Sequence, residues 1–232
     1  MSDAAAAESL GPGIKGEVTV IELDRQARAV ARRSAETRAT VPTMEFTNLV
    51  NMDAALAREA ELGCGTVPLL ISAVARALQS VRRVNGSYRD GRYELYSRIN
   101  IGVTMVDEGI YVTPTIFDAD QKSELEVATD LADFYVRARE GELLPNELTG
   151  ATFTVVDSSA YDIVALSPMI IAPQAGALAA GPVRDVPVVR RGEVVPGHTM
   201  QLALSVDHRI VYGHHAAQFL EEVKAQFEGA GA

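Results

Sequence analysis

Cysteine occurs once, at Cys64, so neither a disulfide framework nor a cysteine-built zinc site can be assembled from this chain. Histidine is almost as scarce. There are four, three of them at His208, His214 and His215, so a multi-histidine metal site would consume most of the supply. Basic residues are outnumbered, 21 against 31 acidic, for a formal net charge of -10. Phosphate-backbone binding needs clustered Lys and Arg, so a broad nucleic-acid surface is excluded. A local basic pocket for one phosphorylated cofactor is compatible with this charge. No run of about 18 apolar residues occurs, and no membrane-spanning helix is expected. Met1-Ser2-Asp3-Ala4 has no basic region leading into an apolar stretch and does not read as a secretory signal, so a cytoplasmic location is expected.

What is present is ordinary for a folded protein: 232 residues, 47% hydrophobic and 22% charged. No tandem repeat or long Pro/Ser stretch divides the chain. Residues 1–16, rich in Ala and Gly with a Gly11-Pro12-Gly13 turn signal, read as a flexible leader, and residues 17–232 as a single domain.

Helical spacing with an Asp24 start predicts a helix over 24–39, and Val41-Pro42 stops it. Residues 43–52 read as a strand and 53–62 as a short helix closed by Gly63-Cys64-Gly65, where Cys64 is a small packing residue. Residues 66–82 open with a Thr cap and an early Pro, then run apolar on nearly every face, which predicts a buried helix. Asn85-Gly86 and Asp90-Gly91 mark tight turns. Two β-rich runs, 93–106 and 110–116, flank Glu108-Gly109 and predict a hairpin. Ser123 caps a helix over 123–140 that Gly141 and Pro145 end. Strands are expected at 152–157, 168–172, 176–181, 185–190 and 199–206, the last alternating Met200, Leu202, Leu204 and Val206. An amphipathic helix over 214–228 closes the chain. Strands and helices mix without regular βαβ alternation, which predicts an α+β sandwich: a mixed β-sheet with helices packed on one face.

The segment from Asp207 to His215 links the strand ending at Val206 to the last helix, placing His208 at a strand-to-helix loop. Imidazole is the side chain best suited to exchange a proton near neutral pH. Taken alone, His208 reads first as a loop histidine bonded to a carboxylate such as Asp207. His214 and His215 read as helix-start residues beside it, because no ordered set of carboxylates accompanies them as metal ligands.

Ser205-Val206-Asp207-His208-Arg209-Ile210-Val211-Tyr212-Gly213 resembles the Asp-His-Arg-x-x-Asp-Gly signature of the dihydrolipoyl acyltransferases, the acyltransferase cores of 2-oxoacid dehydrogenase complexes. Further stretches agree in the family's order: Asn100 to Val103 with Val112-Thr113-Pro114, Asp118 to Ser123, Ala138 to Leu143, Gly150 to Thr154, and Ala172 to Ala175. The resemblance covers roughly residues 17–228. It implies a chloramphenicol acetyltransferase-like fold and a homotrimer with its sites between subunits. It also implies His208 as the general base that helps an acceptor thiol or alcohol attack an acyl-coenzyme A thioester, with acetyl-CoA as donor, no metal and no acyl-enzyme.

Two positions depart from the pattern. The family aspartate four residues after the histidine is Tyr212, which removes a negative charge and offers a phenol as a donor instead. The family's oxyanion serine falls on Val156, which has no hydroxyl. Thr154 and Ser158 lie two residues away on the same strand side, and either is a candidate replacement; ordinary strand and turn polarity is the simpler account of each. No lipoyl-lysine module and no apolar C-terminal tail accompany the core, so an isolated trimer without its own lipoyl group is expected.

The resemblance extends to free-standing tetronate acetyltransferases. The leading expectation is therefore an O-acetyltransferase that moves an acetyl or short acyl group to a hydroxyl of a diffusible small molecule, such as a tetronate-type intermediate, in secondary metabolism such as antibiotic biosynthesis. The alternatives are a dihydrolipoamide acyltransferase core served by lipoyl domains on another chain, or a trimeric scaffold with reduced catalysis.

Overall fold

The computed structural model of the protein describes residues 8–14, 16–107, 110–164 and 166–229. The chain divides into two compact units, one up to Thr40 and one from Val41. In the first unit, β1 (Glu8–Gly13) pairs antiparallel with β2 (Gly16–Val20), so part of the leader expected over 1–16 is a strand; residues 1–7 lie outside the described residues. Helix α1 (Arg25–Thr40) follows, and the Asp24 carboxylate accepts the Ala27 N–H at 2.7 Å, the start signal the sequence carries.

The second unit runs β3 (Thr43–Asn51), α2 (Asp53–Leu62), α3 (Thr66–Ser80), β4 (Gly86–Arg89), β5 (Arg92–Leu95), β6 (Ile101–Asp107), β7 (Ile110–Val112), β8 (Thr115–Ile116), α4 (Glu124–Glu140), β9 (Phe153–Asp157), β10 (Gly176–Ala180), β11 (Arg184–Arg190), β12 (Glu193–Asp207) and α5 (Gly213–Phe227). The main sheet has the order β11-β12-β10-β9-β6-β7, with β3 also on β12 and β8 on β6. Among the described residues only β10–β9 and β9–β6 are parallel, so the sheet is mixed, as expected. The β6–β7 hairpin forms, while its Glu108-Gly109 turn lies outside the described residues.

The sheet buries its helical face through strict alternation. Ile101, Val103 and Met105 of β6, Phe153 and Val155 of β9, and Leu202, Leu204 and Val206 of β12 join the apolar side chains of α3, α4 and α5 in one core. Phe153 and Phe219 pack ring on ring with centroids 5.4 Å apart. Ten residues of α3 are buried, which is why its sequence is apolar all round. Its N-cap is Gly65 rather than a threonine side chain; Thr66 is the first helical residue. On α4 the expected Ser123 cap is a full capping box with Glu126, and Gly141 ends the helix at φ 72°.

Two expected strands are corrected. The run 93–106 divides into β5 and β6, and 168–172 is not a strand. Pro168 and Pro173 bracket that segment and supply no ladder N–H, so Ile170 is buried from a loop.

Candidate active site

Strand β12 ends at Asp207, and the chain enters α5 at Gly213 after a five-residue loop. Two backbone bonds make the turn, Ile210 N–H and Val211 N–H to the Asp207 carbonyl at 3.1 and 2.9 Å. At its start the His208 N–H donates to the Pro42 carbonyl at 3.0 Å. The imidazole is exposed, and its Nδ1 lies 3.2 Å from the Val211 carbonyl. A carbonyl only accepts, so this contact holds the proton on Nδ1 and leaves Nε2 with a free lone pair. The bond to Asp207 expected for an isolated loop histidine does not form.

Asp207 serves Arg209 instead. Its carboxylate accepts from Arg209 Nε at 2.9 and 3.1 Å, from an Arg209 terminal nitrogen at 2.6 Å and from the Arg209 N–H at 3.0 Å. The carboxylate is 2% exposed, and the pairing raises the guanidinium's affinity for its proton. Arg209 also stacks over the Tyr88 ring at 4.0 Å.

A second arginine holds the loop's far side. Arg83 Nε donates to the Ile210 carbonyl at 2.6 Å, and its guanidinium lies 4.8 Å from the Tyr93 ring centroid and 5.2 Å from that of Tyr212. The Tyr93 hydroxyl donates to the Arg83 carbonyl at 2.7 Å, and burial pushes that phenol up to about 12. The short β4–β5 ribbon therefore supplies Tyr88 and Tyr93 to brace the two arginines that hold the His208 loop. Gly86 opens that ribbon because a Cβ there would sit 2.5 Å from the Glu94 carbonyl oxygen and 2.6 Å from the Tyr93 ring.

Tyr212 caps α5 with a half-exposed ring set edge-on to His208, centroids 5.9 Å apart. The Tyr212 N–H points to His215 Nδ1 at 3.4 Å. Burial, with His214 and Arg83 adding to it, lowers the His215 pKa, which keeps that ring neutral as an acceptor.

The two candidate hydroxyls are elsewhere and occupied. Thr154 is fully buried and donates to the Gln174 side-chain oxygen at 2.7 Å, while the Gln174 amide nitrogen donates to the Ala151 carbonyl at 3.2 Å. Ser158 is buried and donates to the Ala180 carbonyl at 2.7 Å. β10 lies between β9 and β12, so Thr154 sits about two strand spacings, ~10 Å, from the strand that carries His208. One chain thus gathers His208 and Tyr212 but brings neither Thr154 nor Ser158 to them. Burial pushes the Cys64 thiol up, in keeping with a packing role.

Sequence reasoning did not find Arg83, Tyr88, Tyr93 or Gln174. Nothing local marks the first three, because each acts across a long sequence separation. Gln174 does stand in a segment that carries the family resemblance.

The profile of the family described as 2-oxoacid dehydrogenases acyltransferase (catalytic domain) matches residues 15–230. The chain is 29% identical over 87% of its length to the dihydrolipoyllysine-residue acetyltransferase component of the pyruvate dehydrogenase complex of Rickettsia bellii, covering 50% of that protein. It is 29% identical over 90% of its length to the dihydrolipoyllysine-residue succinyltransferase component of the 2-oxoglutarate dehydrogenase complex of Bartonella vinsonii, covering 53% of it. The chain therefore spans about half the length of these curated relatives. A crystal structure of a probable dihydrolipoamide acetyltransferase from Listeria monocytogenes superposes with a TM-score of 0.86 at 25% identity, over 90% of this chain and 94% of that one. A chloramphenicol acetyltransferase shares the fold, at TM-score 0.55 and 17% identity over 88% of this chain and 98% of that one. With its profile matched almost end to end, the chain belongs to the 2-oxoacid dehydrogenase acyltransferase family, as a catalytic domain.

Proposed function

We propose that this chain transfers a short acyl group between coenzyme A and a dihydrolipoyl thiol carried on another domain or chain. The observation that carries the reading is the contact between His208 Nδ1 and the Val211 carbonyl. With Nδ1–H committed to the Val211 carbonyl, Nε2 is the base. It takes the acceptor S–H proton as that sulfur attacks the thioester carbonyl. The tetrahedral intermediate then breaks its carbon–sulfur bond to coenzyme A, and the leaving thiolate recovers the proton from Nε2. No bond to the protein forms. The Asp207–Arg209 and Arg83–Ile210 contacts act before the reaction, holding the loop so that the imidazole meets its substrate already oriented. Neither candidate oxyanion hydroxyl, Thr154 nor Ser158, stands beside His208, and the second wall of the site comes from a neighbouring copy, in keeping with a homotrimer.

The relatives named above act on dihydrolipoyllysine residues, which favours a thiol acceptor over the hydroxyl expected first; the tetronate and secondary-metabolic settings draw no support from them. One observation keeps an alcohol in the test. Tyr212 presents an aromatic edge to the imidazole and carries no charge to meet a particular acceptor.

The test is acetyl-CoA with dihydrolipoamide against a panel of primary alcohols, product being followed by mass spectrometry. Thioester formation on dihydrolipoamide is the expected result. His208→Ala should lower turnover by about 10²–10⁴-fold. Unchanged turnover in that variant would refute the mechanism, and ester formation alone would assign the alcohol.

A further inference from the structure

An acyl transfer needs a hydrogen-bond donor aimed where the carbonyl oxygen becomes an anion. Strand pairing shows which hydroxyls are available on the sheet face away from the helices. One row across that face runs Gly102, Thr154, Ala177, Ser205, and the next runs Thr104, Val156, Ala179, Ala203. Thr154 and Ser158 have given their protons to Gln174 and to the Ala180 carbonyl. Ser205 is sealed at 0% exposure.

Thr104 is different. It stands directly opposite Val156 on the adjacent strand, one strand spacing of about 4.8 Å away. Its Oγ1 lies 3.4 Å from Thr113 Oγ1. That single contact uses one of the two hydroxyl protons, and the other has no acceptor among the described residues. Gly102 makes the approach possible. A Cβ there would lie 3.0 Å from the Thr113 methyl carbon and 3.4 Å from Thr154 Oγ1. Two threonines therefore meet at one bare backbone position, and one of them, Thr113, reaches on to Thr104, a pair that holds an unspent donor among the described residues.

We propose that Thr104, with Thr113 donating to it, is the oxyanion donor of the acyl transfer, taking over beside the valine at 156. The proposal rests on the acyltransferase reading above. Thr104 keeps its O–H bond throughout. It donates to the thioester oxygen as that oxygen gains charge and relaxes when the carbon–sulfur bond to coenzyme A breaks. β6 is three strand spacings from β12 in one copy, about 14 Å, so Thr104 serves the His208 of a neighbouring copy.

The experiment measures acetyl-CoA and dihydrolipoamide turnover in full-length Thr104→Val, Thr104→Ser, Thr113→Val and Thr104→Val/Val156→Ser, with His208→Ala alongside. Thr104→Val should lower kcat by about 10²–10³-fold with KM little changed. Thr104→Ser should keep most of the activity, and Thr113→Val should lose about tenfold or less. The double variant should recover at least tenfold over Thr104→Val, which a merely structural threonine would not produce. Mixed assemblies of His208→Ala and Thr104→Val chains should exceed the activity of either parent. If Thr104→Val turns over normally while His208→Ala does not, the donor assignment fails and the general-base reading stands. If both turn over normally, the general-base reading itself is lost. Should Thr104→Val fail to fold, Thr104→Ser and the Val156→Ser rescue of Thr104→Ala decide the same question.

Discussion

Replacing Arg209 with methionine isolates what anchors the His208 loop. Methionine keeps the aliphatic reach over Tyr88 but removes three of the four hydrogen bonds to the Asp207 carboxylate, leaving only the one from the backbone N–H at 3.0 Å. The carboxylate stays 98% out of water, since its exposure is 2%. Breaking a buried ion pair from one side costs about 3–5 kcal/mol, because the remaining charge is stranded. Arg209 is itself 29% exposed, so solvent screens part of the attraction and the lower end, about 3 kcal/mol, applies. For a unit of this size that is a fall in Tm of roughly 6–12 °C. Urea denaturation and calorimetry at fixed protein concentration read both quantities. Arg209→Lys should recover part of the loss, since an ammonium cannot reproduce the two-pronged geometry. Turnover should fall further than stability at assay temperature explains, because the same pair fixes the backbone that carries the imidazole. A loss below about 1 kcal/mol for Arg209→Met would show that Asp207 has other support and would refute this account.

Two further outcomes test the braces around the site. Gly86→Ala should destabilise by about 1–3 kcal/mol and lower activity with it, because the new Cβ would meet backbone at 2.5 Å and displace Tyr93, on which Arg83 rests; a neutral variant would separate the ribbon from the loop. Away from the site, hydrogen bonds from His198 and then Arg190 hold the Asp53 carboxyl at about 2 against an ordinary 3.8. Its depressed folded value means that its contribution is present above about pH 3.8 and is lost as pH falls through about 2. Asp53→Asn should therefore be less stable than the parent near pH 6, the gap closing toward pH 2 in denaturant titrations; a gap independent of pH would contradict the linkage.

Local pattern carried a large part of the fold. The alternation Met200, Leu202, Leu204, Val206 reports one buried face of a strand, Ser123 with Glu126 reports a helix start, and the strand–loop–helix setting of His208 is legible as it stands. Alternation does not reveal that Ala203 and Ser205 on the other face are buried too, at 5% and 0% exposure. Nor does a two-residue separation show that Asp207 turns to Arg209 and away from His208.

By itself the sequence determined the order of most elements, the core face of the central strands and the imidazole at the end of β12, because these depend on neighbours within a few residues and on short-period burial. Only the tertiary structure decided which hydroxyls have protons to give. Thr154 meets Gln174, Ser158 meets Ala180, and Thr104 stands beside Val156 through strand register between distant segments. A hydrogen bond is set by where two groups meet in space, and no spacing along the chain encodes that meeting.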